Sequence, residues 1–234
     1  MSVKLLLATF LSLSLLGCSE QTHKAKSGTY LGGEIVNPTS NFVLLRKNDR
    51  LIDSIKLDQN NRFLYKIENA QEGLYQIFHN EGQIIFIEPN DSLMLRVNTY
   101  EFDETLTFSG FGAPRNNLLV ELFLLNEHEN ELMLQDEIYQ QDPETFSKSI
   151  ALLKAEREKI LQDFLKKNEA DAYFEKIAET VVNYDFYARK EVYPMSHFGV
   201  DRVAFLESLP QSFFDYRKDA DFNDASLLEL YSYQ

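Results

Sequence analysis

The sequence predicts an α+β fold, in which an N-terminal antiparallel β-sandwich or barrel of about eight strands precedes an all-helical segment. Two observations predict it. Between residues 30 and 109, short apolar runs recur about every eight to twelve residues, with turn residues between them. After the Ser-Gly-Phe-Gly-Ala-Pro segment at 109–114, the apolar residues recur with the helical period of about 3.6. We therefore predict a β domain over 28–110 and a helical domain over 111–234.

The predicted strands end at residues that favour turns. Examples are Asn37-Pro38, the run 58–61 (Asp-Gln-Asn-Asn) and Glu72-Gly73. The predicted strands cover residues 31–36, 42–45, 51–57, 62–67, 74–78, 83–87, 93–97 and 106–108. Evenly spaced short strands of this kind are typical of a sandwich or barrel.

Three longer helices follow in the prediction. The first contains Leu118 and Leu122. The second begins with Asp142 as N-cap and Pro143 in its first turn, and the third runs from about 171 to 189 and is ended by Pro194. Shorter helices are predicted over 203–209 and 224–233. The last one has an apolar face and no capping residues, so we expect it to pack weakly, to fray, or to pair with a second protein or a downstream domain.

The N-terminus predicts a signal peptide over 1–17 and a lipidated tether over 18–27. Lys4 precedes an apolar run of about a dozen residues, which is too short to span a membrane. The run ends in Leu-Leu-Gly-Cys, which resembles the bacterial lipobox in which the cysteine is acylated. Cys18 is therefore the predicted lipidation site and membrane anchor, and the alternative is an ordinary secretory signal.

Composition limits the classes of function. Cys18 is the only cysteine, so an acylated chain has no internal disulfide and no Cys-x-x-Cys redox pair. Without Lys4 the mature chain has 23 − 1 = 22 basic against 37 acidic residues, a net charge of −15. Nucleic acid is therefore not an expected partner, and the lipid alone must hold the chain at the membrane.

We expect the chain to be located in the cell envelope of a Gram-negative bacterium. Ser19 lacks the aspartate that retains some lipoproteins at the inner membrane, which favours the outer membrane, on its periplasmic face or at the surface.

Several segments resemble one family. The N-terminal region of lipoprotein-type TlpA-like thiol–disulfide oxidoreductases is similar to residues 86–92 (Phe-Ile-Glu-Pro-Asn-Asp-Ser), residues 102–110 and the pair Asn116-Asn117. The segment that leads into their thioredoxin-like domain is similar to residues 214–218 and the pair Phe222-Asn223. The resemblance covers most of 28–234 and implies a β-sandwich with a helical extension that positions a domain or binds a partner. The thioredoxin-like domain of that family and its Cys-x-x-Cys motif are absent here, so no catalytic residue is carried over. The resemblance leaves open a missing downstream thioredoxin-like domain.

No catalytic residue, metal site or cofactor is predicted. We interpret the acidic run 127–131, which includes His128, as a solvated helix face, and residues 58–61 as a turn rather than a calcium loop. Ser54 and Ser92 each follow an aspartate in a short motif that resembles an O-glycosylation signal of some exported bacterial proteins.

Two functions therefore stand as hypotheses. The first is a non-catalytic, lipid-anchored envelope module, related to the N-terminal part of TlpA-like proteins, that positions or binds a partner. The alternative is a stand-alone lipoprotein that binds a ligand in the mouth of the sandwich or between sheet and helices. A deep apolar pocket with a few converging polar groups favours the alternative, and a flat or filled surface favours the module.

Overall fold

The computed structural model describes residues 28–199 and 209–233, together with Val203 and Glu207. Strands in the described part form two four-stranded sheets. Sheet 1 has the order β4-β1-β7-β8 and sheet 2 the order β3-β2-β5-β6. The strands are β1 (Thr29–Val36), β2 (Phe42–Lys47), β3 (Arg50–Lys56), β4 (Arg62–Ile67), β5 (Gly73–His79), β6 (Glu81–Ile87), β7 (Ser92–Asn98) and β8 (Thr107–Phe111). The helices are α1 (Phe102–Thr105), α2 (Ala113–Gln135), α3 (Pro143–Lys167) and α4 (Ala172–Phe198).

The predicted fold class is confirmed, and one strand pairing differs from a fully antiparallel sandwich. β1 and β7 run parallel, with Leu31 opposite Leu93, while the other strand pairs are antiparallel. The chain passes through both sheets between β1 and β7, so no hairpin fixes their relative direction. The two strands come close at Gly33, whose φ is +156° and where an added Cβ would lie 2.2 Å from the carbonyl oxygen of Leu95.

Successive side chains of the strands in sheet 2 point to opposite faces of the sheet, and each face belongs to a different hydrophobic core. On β5, Tyr75 and Ile77 face sheet 1 and belong to the core inside the sandwich. Leu74 faces the other way and, with Phe86 of β6, belongs to a second core that includes Phe174 of α4. The helices therefore form a third layer on the outer face of sheet 2.

The helix starts follow the predicted caps. Asp142 accepts hydrogen bonds from the backbone N–H groups of Glu144 and Thr145, both at 3.1 Å, which confirms it as the N-cap of α3. The prediction that Pro194 ends α4 is wrong, because the helix continues to Phe198. Pro194 is buried, and the adjacent Tyr193 stacks on Phe146 with ring centroids 3.9 Å apart. This packing holds the last turn despite the missing N–H.

The C-terminal segment forms two short 3-10 turns, Ala225–Leu227 and Tyr231–Tyr233, instead of the predicted helix over 224–233. Leu227, Leu230 and Tyr233 are buried in the second core. Their spacing of three residues matches the 3-10 period, which places them on one face. The expectation of weak packing is therefore wrong for these residues. The helix predicted over 203–209 lies largely outside the described residues.

Two neighbouring asparagines on α2 join both sheets. The carboxamide of Asn116 accepts from the N–H of Phe86 and donates to its carbonyl, both at 2.8 Å. The carboxamide of Asn117 makes the same pair of hydrogen bonds with Phe108, at 2.9 and 3.0 Å. Phe86 lies on β6 and Phe108 on β8, which are edge strands of different sheets. Each carboxamide thus occupies the place of a neighbouring strand.

Among the described residues, no helix combines the length and the apolar character needed to cross a bilayer. The predicted signal peptide, Cys18 and the tether lie outside the described residues.

We predict that Asn116→Ala lowers the free energy of unfolding by about 3 kcal/mol, because it leaves the buried N–H and carbonyl of Phe86 without partners. Asn117→Ala is the matched control. Asn117 is exposed, so water can replace its carboxamide and we expect a loss of about 1 kcal/mol. Urea denaturation followed by circular dichroism measures both. Equal losses for the two variants would contradict the assignment.

Candidate functional site: a cleft between sheet 2 and the helices

A cleft of about 350 Å³ lies between sheet 2, α2, α4 and the C-terminal segment. This volume falls at the lower end of the range of about 300–1,000 Å³ that is usual for ligand sites. The apolar lining consists of Ile84, Leu119, Leu122, Phe123, Val181 and Leu230, and the polar lining consists of Gln76, Gln83, Asn126, Asp185, Glu229 and Ser232, with Gly82 and Tyr231 completing it. The combination of an apolar surface and a few polar groups suits a ligand that is mostly apolar.

The polar groups of the cleft differ in how well they are already paired. Glu229 accepts a hydrogen bond from the backbone N–H of Asp49 at 3.2 Å. The Oγ of Ser232 is buried and has no hydrogen-bond partner among the described residues. Among the described residues, the lining contains no lysine, arginine, histidine or cysteine. The described lining therefore offers no cation for an acidic ligand.

A buried ion network fixes the helical side of the cleft. Arg157 of α3 donates from Nε to Glu129 of α2 at 2.9 Å and also pairs with Asp185 of α4. Arg189 of α4 contacts Glu129 at 2.6 Å. Asn126 accepts from Arg157 at 2.8 Å and from Arg189 at 2.9 Å. Arg157 and Glu129 are each 1 % exposed, so two cations and two anions balance one another inside the protein.

Burial and ion pairing shift the pKa values of Asp185 and Arg157 in opposite directions. Burial raises the pKa of Asp185, and the charge of Arg157 opposes that change. Burial also disfavours the charged form of Arg157, but its hydrogen bonds to Glu129 and the charge of Asp185 raise its pKa above the ordinary value. Because Asn126 and Asp185 line the cleft and belong to this network, one wall of the cleft is rigid before any ligand arrives.

The structure corrects one interpretation of the acidic run 127–131. Glu127, His128 and Glu131 are exposed, as expected for a solvated helix face. Glu129 instead points inward to Arg157, which lies on the buried face of α3. The interpretation of residues 58–61 as a turn is confirmed, because Asp58 accepts from the N–H groups of Asn60 and Arg62 at 2.8 and 2.9 Å.

The two serines of the predicted glycosylation motifs lie in different surroundings. Ser54 is exposed on β3, an edge strand. Ser92 is partly buried at the start of β7, which has a strand on either side. Neither serine lines the cleft, and glycosylation at both stays a prediction. A glycosyltransferase would reach the exposed Ser54 more easily than the partly buried Ser92.

A second cluster of charges joins the sandwich to the helices. Carboxylate oxygens of Glu72, Glu88 and Asp171 lie within 4.8 Å of one another. Arg115 of α2 contacts Glu88 at 3.1 Å and Asp91 at 2.9 Å. Three carboxylates could ligate a hard cation, but the guanidinium of Arg115 already supplies positive charge there. Asp171 is also engaged as the N-cap of α4, where it accepts from two backbone N–H groups at 2.8 Å. We therefore assign no metal to this group.

These carboxylates share a proton instead. Burial and the hydrogen bond to Asp171 raise the pKa of Glu88 to about 7, against the opposing charge of Arg115. For Asp171, burial acts in the same upward direction, but the hydrogen bonds from Glu88 and from the N–H groups of α4 outweigh it and lower the pKa. Below pH 7, Glu88 is therefore the protonated partner of this contact and donates to the ionised Asp171.

Comparison with known proteins gives no matching family model, and neither the curated proteins nor the solved structures include one that matches the chain significantly. The comparisons add no link to the TlpA-like proteins, and the resemblance described above stays a prediction.

We predict that Glu88 makes the stability of the protein depend on pH near neutrality. Its folded-state pKa of about 7 lies above the ordinary 4.5, so the folded state binds this proton more tightly than the unfolded state does. The stabilisation is full below pH 4.5 and is lost as the pH rises through 7.

The measurement is the melting temperature of wild type and Glu88→Gln at several values of pH across that window. We expect wild type to lose stability relative to the variant as the pH rises. Glu144→Gln on α3, where Glu144 is exposed and pairs with Lys148, is the control and should run parallel to wild type. Parallel curves for Glu88→Gln and wild type would contradict the shared proton.

Proposed function

We propose that this chain is a lipid-anchored protein of a Gram-negative cell envelope, held at the outer membrane by acylated Cys18, and that its folded part binds a ligand in the cleft. The observation that carries the proposal is the cleft itself, because an apolar hollow of this size with converging polar groups distinguishes a binding protein from a filled structural surface. The rigid wall at Asn126 and Asp185 supports it further. Pre-ordered polar groups lower the entropy cost of binding.

The anchor and the charge of the chain agree with this arrangement. Nine residues, 19–27, separate Cys18 from the first described residue, and in extended form they span about 30 Å at most. The net charge of −15 on the mature chain keeps the folded part away from an anionic lipid surface. The cleft would then remain accessible from the aqueous side while the lipid holds the chain in place.

A positioning or partner-binding module, related to the N-terminal part of TlpA-like proteins and without catalysis of its own, is the second candidate. Large side chains exposed on the C-terminal segment favour it, since Phe222 is 66 % and Tyr231 83 % exposed. Exposed aromatic residues often mark contacts with another protein. Tyr231 also lines the cleft, so a partner and a ligand would meet at the same rim.

We predict that the uncharged fluorophore N-phenyl-1-naphthylamine binds in the cleft and that Val181→Trp, which fills the cleft, weakens binding about tenfold or more. The control is Leu152→Trp, at a position on α3 that is 73 % exposed and does not line the cleft. Fluorescence titration measures affinity, and the melting temperature of each variant reports whether it is folded. Absence of binding, or equal binding by the folded Val181→Trp variant, would overturn the ligand-binding proposal.

We predict that cells grown with labelled palmitate incorporate the label into the wild-type chain but not into Cys18→Ser, and that the variant moves to the soluble fraction. The cause is loss of the acyl chains, each of which contributes about 0.8 kcal/mol of membrane binding per buried methylene. Ser19→Ala serves as the control, because it alters the neighbouring residue and keeps the thiol. A Cys18→Ser chain that stays with the membrane would show that another element anchors it.

A further inference from the structure

The strand β6 has a free edge beside the cleft. It is the last strand of sheet 2 and pairs with β5 alone. Asn116 bonds both backbone groups of Phe86, so these groups point away from β5. In an antiparallel ladder the direction of the backbone groups alternates from residue to residue. The register between β5 and β6 has no shift, so the N–H and carbonyl groups of Ile84 and Gly82 point to the same free edge.

The same alternation applies to β5. Gln76 and Phe78 lie opposite Ile84 and Gly82, so their backbone groups point to β2, where Gln76 is paired with Arg46 and Phe78 with Leu44. Beyond Phe86, the hydrogen bond found at this edge among the described residues is a long one, 3.4 Å from the Gln83 side chain to the carbonyl of Ile84.

Ile84 and Gly82 also line the cleft. The cleft therefore contains backbone groups that are available for another strand, and Gly82 presents no side chain that would hinder its approach.

An acidic patch continues the cleft beyond the start of β6. It consists of Glu81, Asp103, Glu104, Glu127 and Glu131, which act on one another electrostatically. Glu81 precedes Gly82 in the chain and Glu127 follows Asn126, and both of these neighbours line the cleft. The ion pairs of the described residues include none of the five.

These acids lie close enough to one another to shift each other's pKa. Burial, together with the charges of Glu127, Glu81 and Glu104, raises the pKa of Asp103 to about 6. Burial and the neighbouring carboxylates Glu104, Glu131 and Glu81 likewise raise the pKa of Glu127. A cation placed here would relieve repulsion that the folded chain now carries.

We propose that the cleft binds an extended peptide segment, which adds a strand to the edge of β6, places an apolar side chain in the cleft and directs a basic side chain to the acidic patch. This proposal rests on the ligand-binding function above and names its ligand class. The backbone groups of Ile84 and Gly82 are two residues apart, which matches the repeat of an extended chain. A small amine would engage only the acidic patch, and an apolar molecule only the side chains of the cleft. A peptide with alternating apolar and basic residues engages the backbone edge of β6, the apolar side chains of the cleft and the acidic patch.

The test uses a blocked hexapeptide of alternating valine and lysine as the probe, titrated against the folded protein and against protein loaded with N-phenyl-1-naphthylamine. We expect it to bind and to displace the fluorophore. The same peptide with glutamate in place of lysine should bind about tenfold more weakly, and high salt should weaken the lysine peptide. A lysine peptide in which every backbone nitrogen is methylated keeps its charge but loses the backbone donors, and should also bind weakly.

Protein variants test the two halves of the surface separately. Gly82→Pro removes one N–H from the edge, a change that edge strands tolerate, and should weaken the lysine peptide about fivefold, the factor expected for one hydrogen bond. Asp103→Asn combined with Glu127→Gln should weaken it by a similar factor of about five. Glu156→Gln, an exposed acid on α3 outside the cleft, is the control and should bind like wild type.

The outcomes separate this proposal from the ligand-binding function. If the fluorophore binds in the cleft and the lysine peptide does not, the peptide proposal is overturned while ligand binding stands. If neither binds, both fail. If the N-methylated peptide binds as tightly as the unmodified one, or if folded Gly82→Pro binds like wild type, attraction is by charge alone and strand addition is overturned.

Discussion

The paired carboxamides of Asn116 and Asn117 are the constraint on which the arrangement of the layers depends. Neighbouring residues of a helix point about 100° apart, so one turn of α2 can satisfy the backbone of two strands that belong to different sheets. These hydrogen bonds fix the position of α2 along the strands and its rotation about its own axis. With the rotation fixed, Ala113 and Val120 reach the sandwich core, and Leu119 and Leu122 reach the core under the helices. Both cores and the cleft follow from that orientation.

The ion network then fixes the other helices relative to α2. Each of its charges is expensive to bury, and loss of one partner of a buried pair costs about 3–5 kcal/mol. Apolar side chains would allow α2, α3 and α4 to slide against one another with little penalty. Arg157 prevents such sliding, because Glu129 and Asp185 must meet it from two different helices. The network therefore selects one packing of the three helices, and with it one shape for the wall of the cleft.

The sequence was informative wherever structure is determined locally. The Asp58 turn and the Asp142 cap are short patterns whose hydrogen bonds close within a few residues. The parallel pairing of β1 with β7 has no such local signal, because the two strands meet only after the chain has crossed both sheets. Glu129 was missed for a similar reason, since its partner Arg157 lies 28 residues away. A signal did exist, because Arg157 occupies an otherwise apolar face of α3 and a buried arginine requires an acidic partner.

A site between sheet and helices was one of the alternatives that the sequence left open, but the residues that line the cleft could not be predicted. Separate segments of the chain contribute them, and none carries a distinctive motif. The C-terminal turns were predictable in part. Leu227, Leu230 and Tyr233 recur every three residues, which indicates the 3-10 period rather than the α-helical one. The Asn116-Asn117 pair entered the sequence analysis only through a family resemblance. Its physical role depends on the backbone of strands up to 30 residues away, which no local pattern reveals.

The four sheet edges of the described structure are protected in different ways, and the comparison explains why β6 stands apart. Charged side chains blunt β3, with Arg50 and Lys56, and β4, with Arg62 and Lys66, while Asn117 covers β8. On β6, Asn116 covers only the backbone groups of Phe86 and leaves those of Ile84 and Gly82 open. An open edge normally invites pairing between copies of a chain. Here two copies joined edge to edge through β6 would bring their acidic patches together, and the repulsion would oppose that pairing. The same charges attract a basic strand, so a single feature both discourages self-association and selects the partner.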